Sequence, residues 1–430
     1  MNNTELINVL ELPLKEIPQN AKFSIQSNGI TDFTHGFFKY PCKFIPHIPR
    51  WAINRYLGER GGVVLDPFCG SGTTLVEAVL RGKVALGIDY DSFSQLLSTV
   101  KSTPLTKKEL EILEGFFDFL KKIKSGKVRI GSPPEIPNIH LWFTKKAIKE
   151  LNCLRWGIKE YVEKTGNKKK VENFLKICLG AIIRKVSLAD NQSPKPYVCK
   201  RLEKQPAPVF KTFDETFRRH LERIIHFSKN ATGKEAIIVG SDAREINKDD
   251  IKRYASHGVD LAITSPPYIN AFDYSRTLKL ENFWLDLLTP EKMIDYRKLQ
   301  IGTEFIPSNK YNGHPPISNI ADLNPLLQKI YRQDRKRAYV VHNFFEDIRR
   351  NMNAVFDCLK KGGVYCIVIG ESRIRNEIIP TPNIIVELGK QIGFKVDVIF
   401  SYIIKNRYMH FPRNGRGGYI KYDWVIGLKK

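Results

Sequence analysis

Val64-Leu65-Asp66-Pro67-Phe68-Cys69-Gly70-Ser71-Gly72-Thr73-Thr74 is the stretch that decides the fold. A short apolar run ends in an acid, and a glycine-rich turn follows. A helical pattern then runs from Thr73 to about Arg81 and is closed by Gly82. Val84–Ile88 is a second apolar run, ending at Asp89. Strand, turn, helix, strand is how a parallel α/β sheet begins. The glycines let backbone approach a ligand closely. A dinucleotide site requires G-x-G-x-x-G, and position 75 is leucine. Asp66, at the mouth of the turn, would repel a pyrophosphate and suits an ammonium group. Asp89, 23 residues after Asp66, ends the next strand, where an acid holds a ribose diol. An adenosine with a zwitterionic amino-acid tail meets both conditions, which describes S-adenosylmethionine. Taken alone, the string also serves as a plain tight turn.

Outward from this stretch, strands continue to alternate with helices. Strand-like runs stand at Ala236–Val239, Asp260–Thr264, Val364–Ile369, Val396–Ile404 and Asp423–Leu428. Helical patterns are predicted over Asp347–Lys361, stopped by Gly362, and over Asn383–Ile392. Residues 1–60 are mixed, with a proline-punctuated stretch at Tyr40–Arg50. Residues 105–235 read mainly as helix, with Phe174, Ile177, Cys178, Ala181 and Ile182 at helical spacing. The expected fold is a doubly wound, mostly parallel α/β sheet interrupted by a largely helical insertion. The first part of the main domain is 1–104, the insertion 105–235, and the second part 236–430.

Of 430 residues, 42% are apolar, enough for a real core. The net charge of +24 calls for an acidic partner, with nucleic acid first. The surplus is concentrated. Residues 105–235 hold 29 Lys and Arg against 15 Asp and Glu. Their basic runs are Lys168-Lys169-Lys170, Arg184-Lys185, Lys200-Arg201 and Arg218-Arg219, interleaved with Trp142, Phe143, Trp156, Tyr161 and Tyr197. Such a mixture suits a nucleic-acid groove. It equally describes the solvated face of a lysine-rich helical segment. The seven cysteines, Cys42, Cys69, Cys153, Cys178, Cys199, Cys358 and Cys366, contain no C-x-x-C pair. A disulfide framework or four-cysteine zinc site is therefore not expected, nor is any metal. With no apolar run long enough to span a bilayer and no signal-peptide pattern, a cytoplasmic protein without a membrane partner is expected.

Thr264-Ser265-Pro266-Pro267-Tyr268 follows the strand Asp260–Ile263. It therefore lies at a strand's C-terminal end, where open α/β sheets bind ligands. The prolines fix the backbone and remove two N–H donors. Carbonyls and the Ser265 hydroxyl are left as acceptors, and Tyr268 offers a ring for stacking. A flipped-out base with an exocyclic amine requires that combination. A plain proline turn is the alternative.

Together the two motifs resemble those of the amino-group DNA methyltransferases that act on cytosine N4 or adenine N6. The string Asp66–Thr74 is similar to their cofactor motif, and Ser265-Pro266-Pro267-Tyr268 to their catalytic tetrapeptide. His35–Phe44 resembles the segment that precedes the cofactor motif and encloses the methionine. Gly240-Ser241-Asp242-Ala243 resembles the motif whose acid contacts the adenine, and Asn270–Trp284 also fits the family. The resemblance covers about 35–104 and 236–430. It implies a Rossmann-like methyltransferase fold with S-adenosylmethionine as cofactor. Phe44, Asp66, Pro67, Phe68, Gly70, Gly72, Thr73, Asp89 and Asp242 are implied as cofactor-binding, and Ser265, Pro266, Pro267 and Tyr268 as catalytic. Double-stranded DNA is the implied substrate, and a cognate restriction endonuclease a partner. The basic insertion would then be the target-recognition region. A Ser-led tetrapeptide leans toward cytosine N4 over adenine N6. An RNA base amino-methyltransferase and a non-catalytic DNA-binding subunit are the remaining alternatives. One departure stands out. Many relatives place Asn-Pro two positions after the ribose-binding acid, where this chain has Tyr90-Asp91-Ser92 after Asp89.

Overall fold

In chain order the strands are β1 (Leu6–Val9), β2 (Ala21–Ile25), β3 (Val63–Asp66), β4 (Val84–Ile88), β5 (Ile237–Gly240) and β6 (Val259–Thr264). They continue with β7 (Leu359–Ile369), β8 (Ser372–Ile374), β9 (Glu377–Ile379), β10 (Lys395–Ile403) and β11 (Tyr422–Lys429). This is a computed structural model describing residues 5–26, 28–41, 43–191, 193–199, 204–269, 273–405 and 420–430. Cys42, Lys200-Arg201 and Asn270, singled out above, lie outside the described residues.

Nine strands form one sheet in the order β1-β2-β10-β11-β7-β6-β3-β4-β5, and β8 with β9 makes a separate hairpin. All neighbours are parallel except β11, which runs antiparallel to both β10 and β7. The sheet is thus doubly wound and mostly parallel, as the alternation of apolar runs with helical patterns predicts. Chain order steps from β3 to β4 and β5 on one side, and from β3's other neighbour β6 to β7 on the opposite side. The crevice between β3 and β6 is therefore the topological switch point. β3 is buried at all four positions, which explains its unbroken apolar run.

Each face of the sheet carries a core. One core packs β7 and β11 residues against helices Leu323–Gln333, Arg335–Cys358 and Thr381–Ile392. The other joins the sheet, the N-terminal segment and the insertion into one apolar cluster. The insertion's helices are Lys107–Lys124, Ile139–Trp142, Lys145–Lys164, Lys169–Val186 and Val209–Asn230. Phe37 stacks on His220 at 4.4 Å and meets Phe174 edge-on at 6.0 Å. Phe143 packs edge-on against Trp284 at 5.5 Å. A Cβ on Gly180 would stand 2.8 Å from the Phe93 ring, so helices Lys169–Val186 and Ser92–Lys101 touch nearly backbone to ring.

Three departures from the sequence reading have physical causes. The mixed N-terminal region supplies β1 and β2, which extend the sheet beyond β10. The helix expected over Asp347–Lys361 starts twelve residues earlier, because Asp334 caps it by accepting from the Arg337 N–H at 3.0 Å. It ends at Cys358 rather than at the Gly362 stop. Leu359 already pairs with Val259, and the register then jumps to Val364 opposite Leu261. Gly362, at φ 77°, lies inside that interruption. Among the described residues no helix is long and apolar enough to cross a membrane.

Candidate active site

The two motifs meet at the switch point. The Thr264 hydroxyl, ending β6, donates to Asp66 Oδ1 at 2.7 Å, and the Phe68 N–H donates to the same oxygen at 3.1 Å. Asp66 is 1% exposed, and its Oδ2 has no partner among the described residues. Burial pushes its carboxyl up to about 6. Asp66 thus sits one layer behind the turn, rather than at its mouth, and ties the start of one motif to the start of the other.

In front of it opens a cavity. Phe44, Pro67, Phe68, Gly70, Thr73, Asp89, Asp242, Ser265 and Pro267 all line it. Gly72, Pro266 and Tyr268 are not among its lining residues. Gly72 adopts φ 74° and caps helix Thr73–Leu80; a Cβ there would stand 2.8 Å from that of Ser98. Pro266 is buried, and Tyr268 is half-buried beyond the cavity.

Asp89 shapes the turn. Its Oδ2 accepts from the Gly70 N–H at 2.8 Å and its Oδ1 from the Asp91 N–H at 2.9 Å. Burial, then the charge of Asp91, pushes its carboxyl up to about 7. Gly70 adopts φ 47°, and a Cβ there would press on the Tyr40 ring at 3.3 Å. The departure at Asp91 has a local role. Asp91 Oδ1 caps helix Ser92–Lys101 by accepting from the Ser94 N–H at 2.8 Å, and its Oδ2 accepts from Asn282 at 3.0 Å. Asp242 is held by Arg244, whose guanidinium reaches Oδ2 at 2.8 Å and Oδ1 at 2.9 Å. Although burial opposes it, that pairing holds the Asp242 carboxyl below its usual range.

Further residues line the cavity beside those expected to bind the cofactor. Tyr90, Gln300 and Ile301 close one wall, with the Tyr90 hydroxyl donating to Gln300 Oε1 at 3.2 Å. Gln300 lies 210 residues beyond Tyr90, and no local pattern marks it. Lys43 also lines the cavity; its ammonium donates to the His35 carbonyl at 2.9 Å, and burial brings it down to about 8. Behind the turn, Glu77 is fully buried and joined to His35, Arg50 and Arg81, which ties the His35–Phe44 segment to helix Thr73–Leu80.

The residues fit an adenosine bearing an amino-acid tail. Asp89 offers a carboxylate, Phe44, Phe68 and Ile301 offer apolar walls, and Lys43 offers a cation for a carboxylate. The Ser71 hydroxyl lines the cavity, buried and without a protein partner among the described residues. Among those residues no group of three His, Cys, Asp or Glu could hold a metal ion.

The insertion's charged and aromatic residues divide into two sets. Phe143 and Tyr161 belong to the core. Lys169 pairs with Glu172, Lys170 with Glu235, and Arg218 with Asp214. Arg184 donates to the carbonyls of Asp190 and Ser193, shaping the loop beyond its helix. Tyr197 is 43% exposed, and Trp142 lies under the Lys279 ammonium at 4.0 Å.

A family model described as DNA methylase matches residues 13–97. Type II methyltransferase M.MvaI of Kocuria varians is 25% identical, with 91% of this chain and 88% of that protein covered. Type II methyltransferase M.MjaII of Methanocaldococcus jannaschii is 24% identical, with 74% of each covered. A tRNA (guanine(10)-N2)-dimethyltransferase of the same organism is 33% identical over 92 residues, covering 21% of this chain and 23% of that protein.

Proposed function

We propose that this chain, which belongs to the amino-methyltransferase family, methylates an exocyclic base amine in double-stranded DNA at a specific sequence. The observation that carries the reading is the Thr264–Asp66 hydrogen bond. It joins the two motifs so that Ser265 and Pro267 form one wall of the cavity that Gly70 and Asp89 also line.

S-adenosylmethionine, when bound, supplies an electrophilic methyl group. Asp89 and Lys43 orient it through its diol and carboxylate, and Phe44 and Phe68 exclude water. The amine of a base is a weak nucleophile because its lone pair is delocalised into the ring. Ser265 Oγ and the Pro266 carbonyl accept its N–H groups and favour a pyramidal nitrogen. Tyr268 stacks on the flipped base. No cysteine nucleophile is required. Cys69, in the turn, is 4% exposed, and burial raises its thiol well above the ordinary range, so it is a packing residue. The insertion reads the duplex through phosphates and base edges. The Ser-led tetrapeptide favours cytosine N4 over adenine N6, and the activity belongs with a cognate restriction endonuclease in a restriction-modification system.

The test is transfer of tritiated methyl groups from S-adenosylmethionine to unmethylated duplex DNA and, separately, to unmodified tRNA. Incorporation into duplex DNA that Ser265→Ala abolishes supports the reading, and mass spectrometry of the nucleosides separates N4 from N6. The local likeness to a tRNA methyltransferase favours RNA as the second reading. Incorporation into tRNA alone would establish it.

A further inference from the structure

We infer that Asp423 is a positioning residue for Tyr268, holding the ring in a fixed plane before any base arrives. This rests on the reading of Tyr268 as the stacking surface.

The two residues are 155 positions apart, and the sheet topology brings them together. The catalytic edge is where β6 and β7 end. β11 is antiparallel to β7, so it alone among the central strands begins at that edge. Asp423 is its second residue. Tyr268 lies four residues beyond the end of β6 and reaches across the end of β7 to meet it. Its hydroxyl donates to Asp423 Oδ1 at 2.5 Å. The other oxygen, Oδ2, accepts from the Tyr402 hydroxyl at 3.1 Å, across the directly paired strand β10. Each carboxylate oxygen therefore has one phenol donor, and the side chain is fixed from both sides.

The ring's path over β7 is equally constrained. Trp424 pairs with Ile369, the last residue of β7, so Gly370, which follows it, lies beside Asp423. A Cβ on Gly370 would stand 3.2 Å from Tyr268 Cε1, so the ring already lies close against the backbone there and a side chain would crowd it. At its other end Tyr268 is followed by Ile269, which is 1% exposed in the core beneath the sheet. Backbone anchor, glycine floor and hydroxyl tether together leave the ring little freedom. A ring ordered in advance stacks without the loss of rotamer entropy that a mobile one would incur. Asp423 itself is 8% exposed; burial raises its carboxyl, and the hydrogen bonds from the two phenols oppose that rise.

The experiment compares Tyr268→Ala, Tyr268→Phe, Asp423→Asn and the double variant Tyr268→Phe/Asp423→Asn. Turnover is read with tritiated S-adenosylmethionine on unmethylated phage DNA, and cofactor affinity by calorimetry. Asp423→Asn and Tyr268→Phe are each expected to lower kcat about ten- to hundred-fold, with cofactor affinity within about twofold of the parent. The double variant is expected to fall no more than about twofold below the worse single, because the Tyr268–Asp423 bond is the one that both changes disturb. Wild-type kcat in Asp423→Asn or in Tyr268→Phe, or a double that multiplies the two losses, overturns the proposal. If Asp423→Asn does not fold, Tyr268→Phe decides alone, since it removes the same bond from the half-buried end. If Tyr268→Ala loses turnover while Tyr268→Phe and Asp423→Asn keep it, the stacking reading stands and only the role of Asp423 falls. If Tyr268→Ala keeps full turnover, the stacking reading fails and this inference with it.

Discussion

The C-terminal edge of the sheet and the helical insertion are built from different materials, and the contrast explains why one was readable and the other was not. At the edge, chemistry sits at strand ends, and several of its side chains are tied to a named partner. Asp66 takes Thr264, Asp89 takes Gly70, and Tyr268 takes Asp423. In the insertion, ion pairs run mostly along helix surfaces, as in Lys164 with Glu160 and Lys176 with Glu172. Such exposed pairs contribute about 0–1 kcal/mol each and carry little positional information. The insertion's order comes from its apolar interior instead, which runs without a break into the core under the sheet. A precise edge thus rests on a body that includes the insertion.

That contrast breaks most visibly at the tetrapeptide. Ser265→Ala is expected to lower kcat about 10²–10³-fold, as removing a preorganised hydrogen-bonding group does, while leaving cofactor affinity nearly unchanged. Single-turnover transfer with saturating cofactor checks this. A parallel fall in affinity would mean that Ser265 serves the cofactor, not the base.

In the insertion the largest effect should be on folding. Phe217→Ala removes a ring that is fully buried between Phe116, Phe174 and Phe213. It should cost about 3–5 kcal/mol in denaturant unfolding, in a single transition shared with the sheet. Two separated transitions would make the insertion an independent unit.

Asp89→Asn sharpens the comparison from the edge. It keeps the side chain's size and loses the charge that accepts from Gly70 and faces the cavity. S-adenosylmethionine affinity should fall about ten- to hundred-fold by calorimetry. A related pH effect follows from burial, which holds the Asp89 carboxyl at about 7. Because the folded value is raised, this group's contribution to stability is full below the unfolded carboxylate value. It is lost as pH rises through about 7. A diol held by Asp89 would require the ionised form, so cofactor binding should weaken as pH falls below about 7, by up to about tenfold per unit. The melting shift produced by cofactor should therefore be larger at pH 8 than at pH 6, and Asp89→Asn should flatten that difference.

The smallest effect belongs to the insertion's surface. Replacing Lys168, Lys169 and Lys170 by glutamine should weaken duplex binding and reduce its salt slope by about 0.9 for each phosphate no longer neutralised. Cofactor affinity should stay within about twofold. An unchanged slope would assign these lysines to the solvated surface that their pairing with Glu172 and Glu235 also describes.

How much was legible follows from where the information resides. β3, β4 and the turn between them are local, so an apolar run, an acid and two glycines were enough to place them. Asp89 could be placed because it follows directly on β4, one turn, one helix and one strand after Asp66. Gln300 and Asp423 could not, since each enters through the sheet's topology and has no motif of its own. β1 and β2 were missed because LINV is largely exposed at the sheet's edge and AKFSI carries a lysine and a serine. The insertion's aromatics misled for the converse reason. Composition cannot tell Phe143 and Tyr161, which are core, from Tyr197, which is exposed.

Expression in a bacterium that lacks DNA methylation, followed by single-molecule sequencing of its genome, tests the central claim most directly. The expected result is an N-methylated amine on one base of one short sequence, present throughout the genome and absent with Ser265→Ala. A genome without modified bases, while the host's tRNA gains a methylated amine, would contradict it.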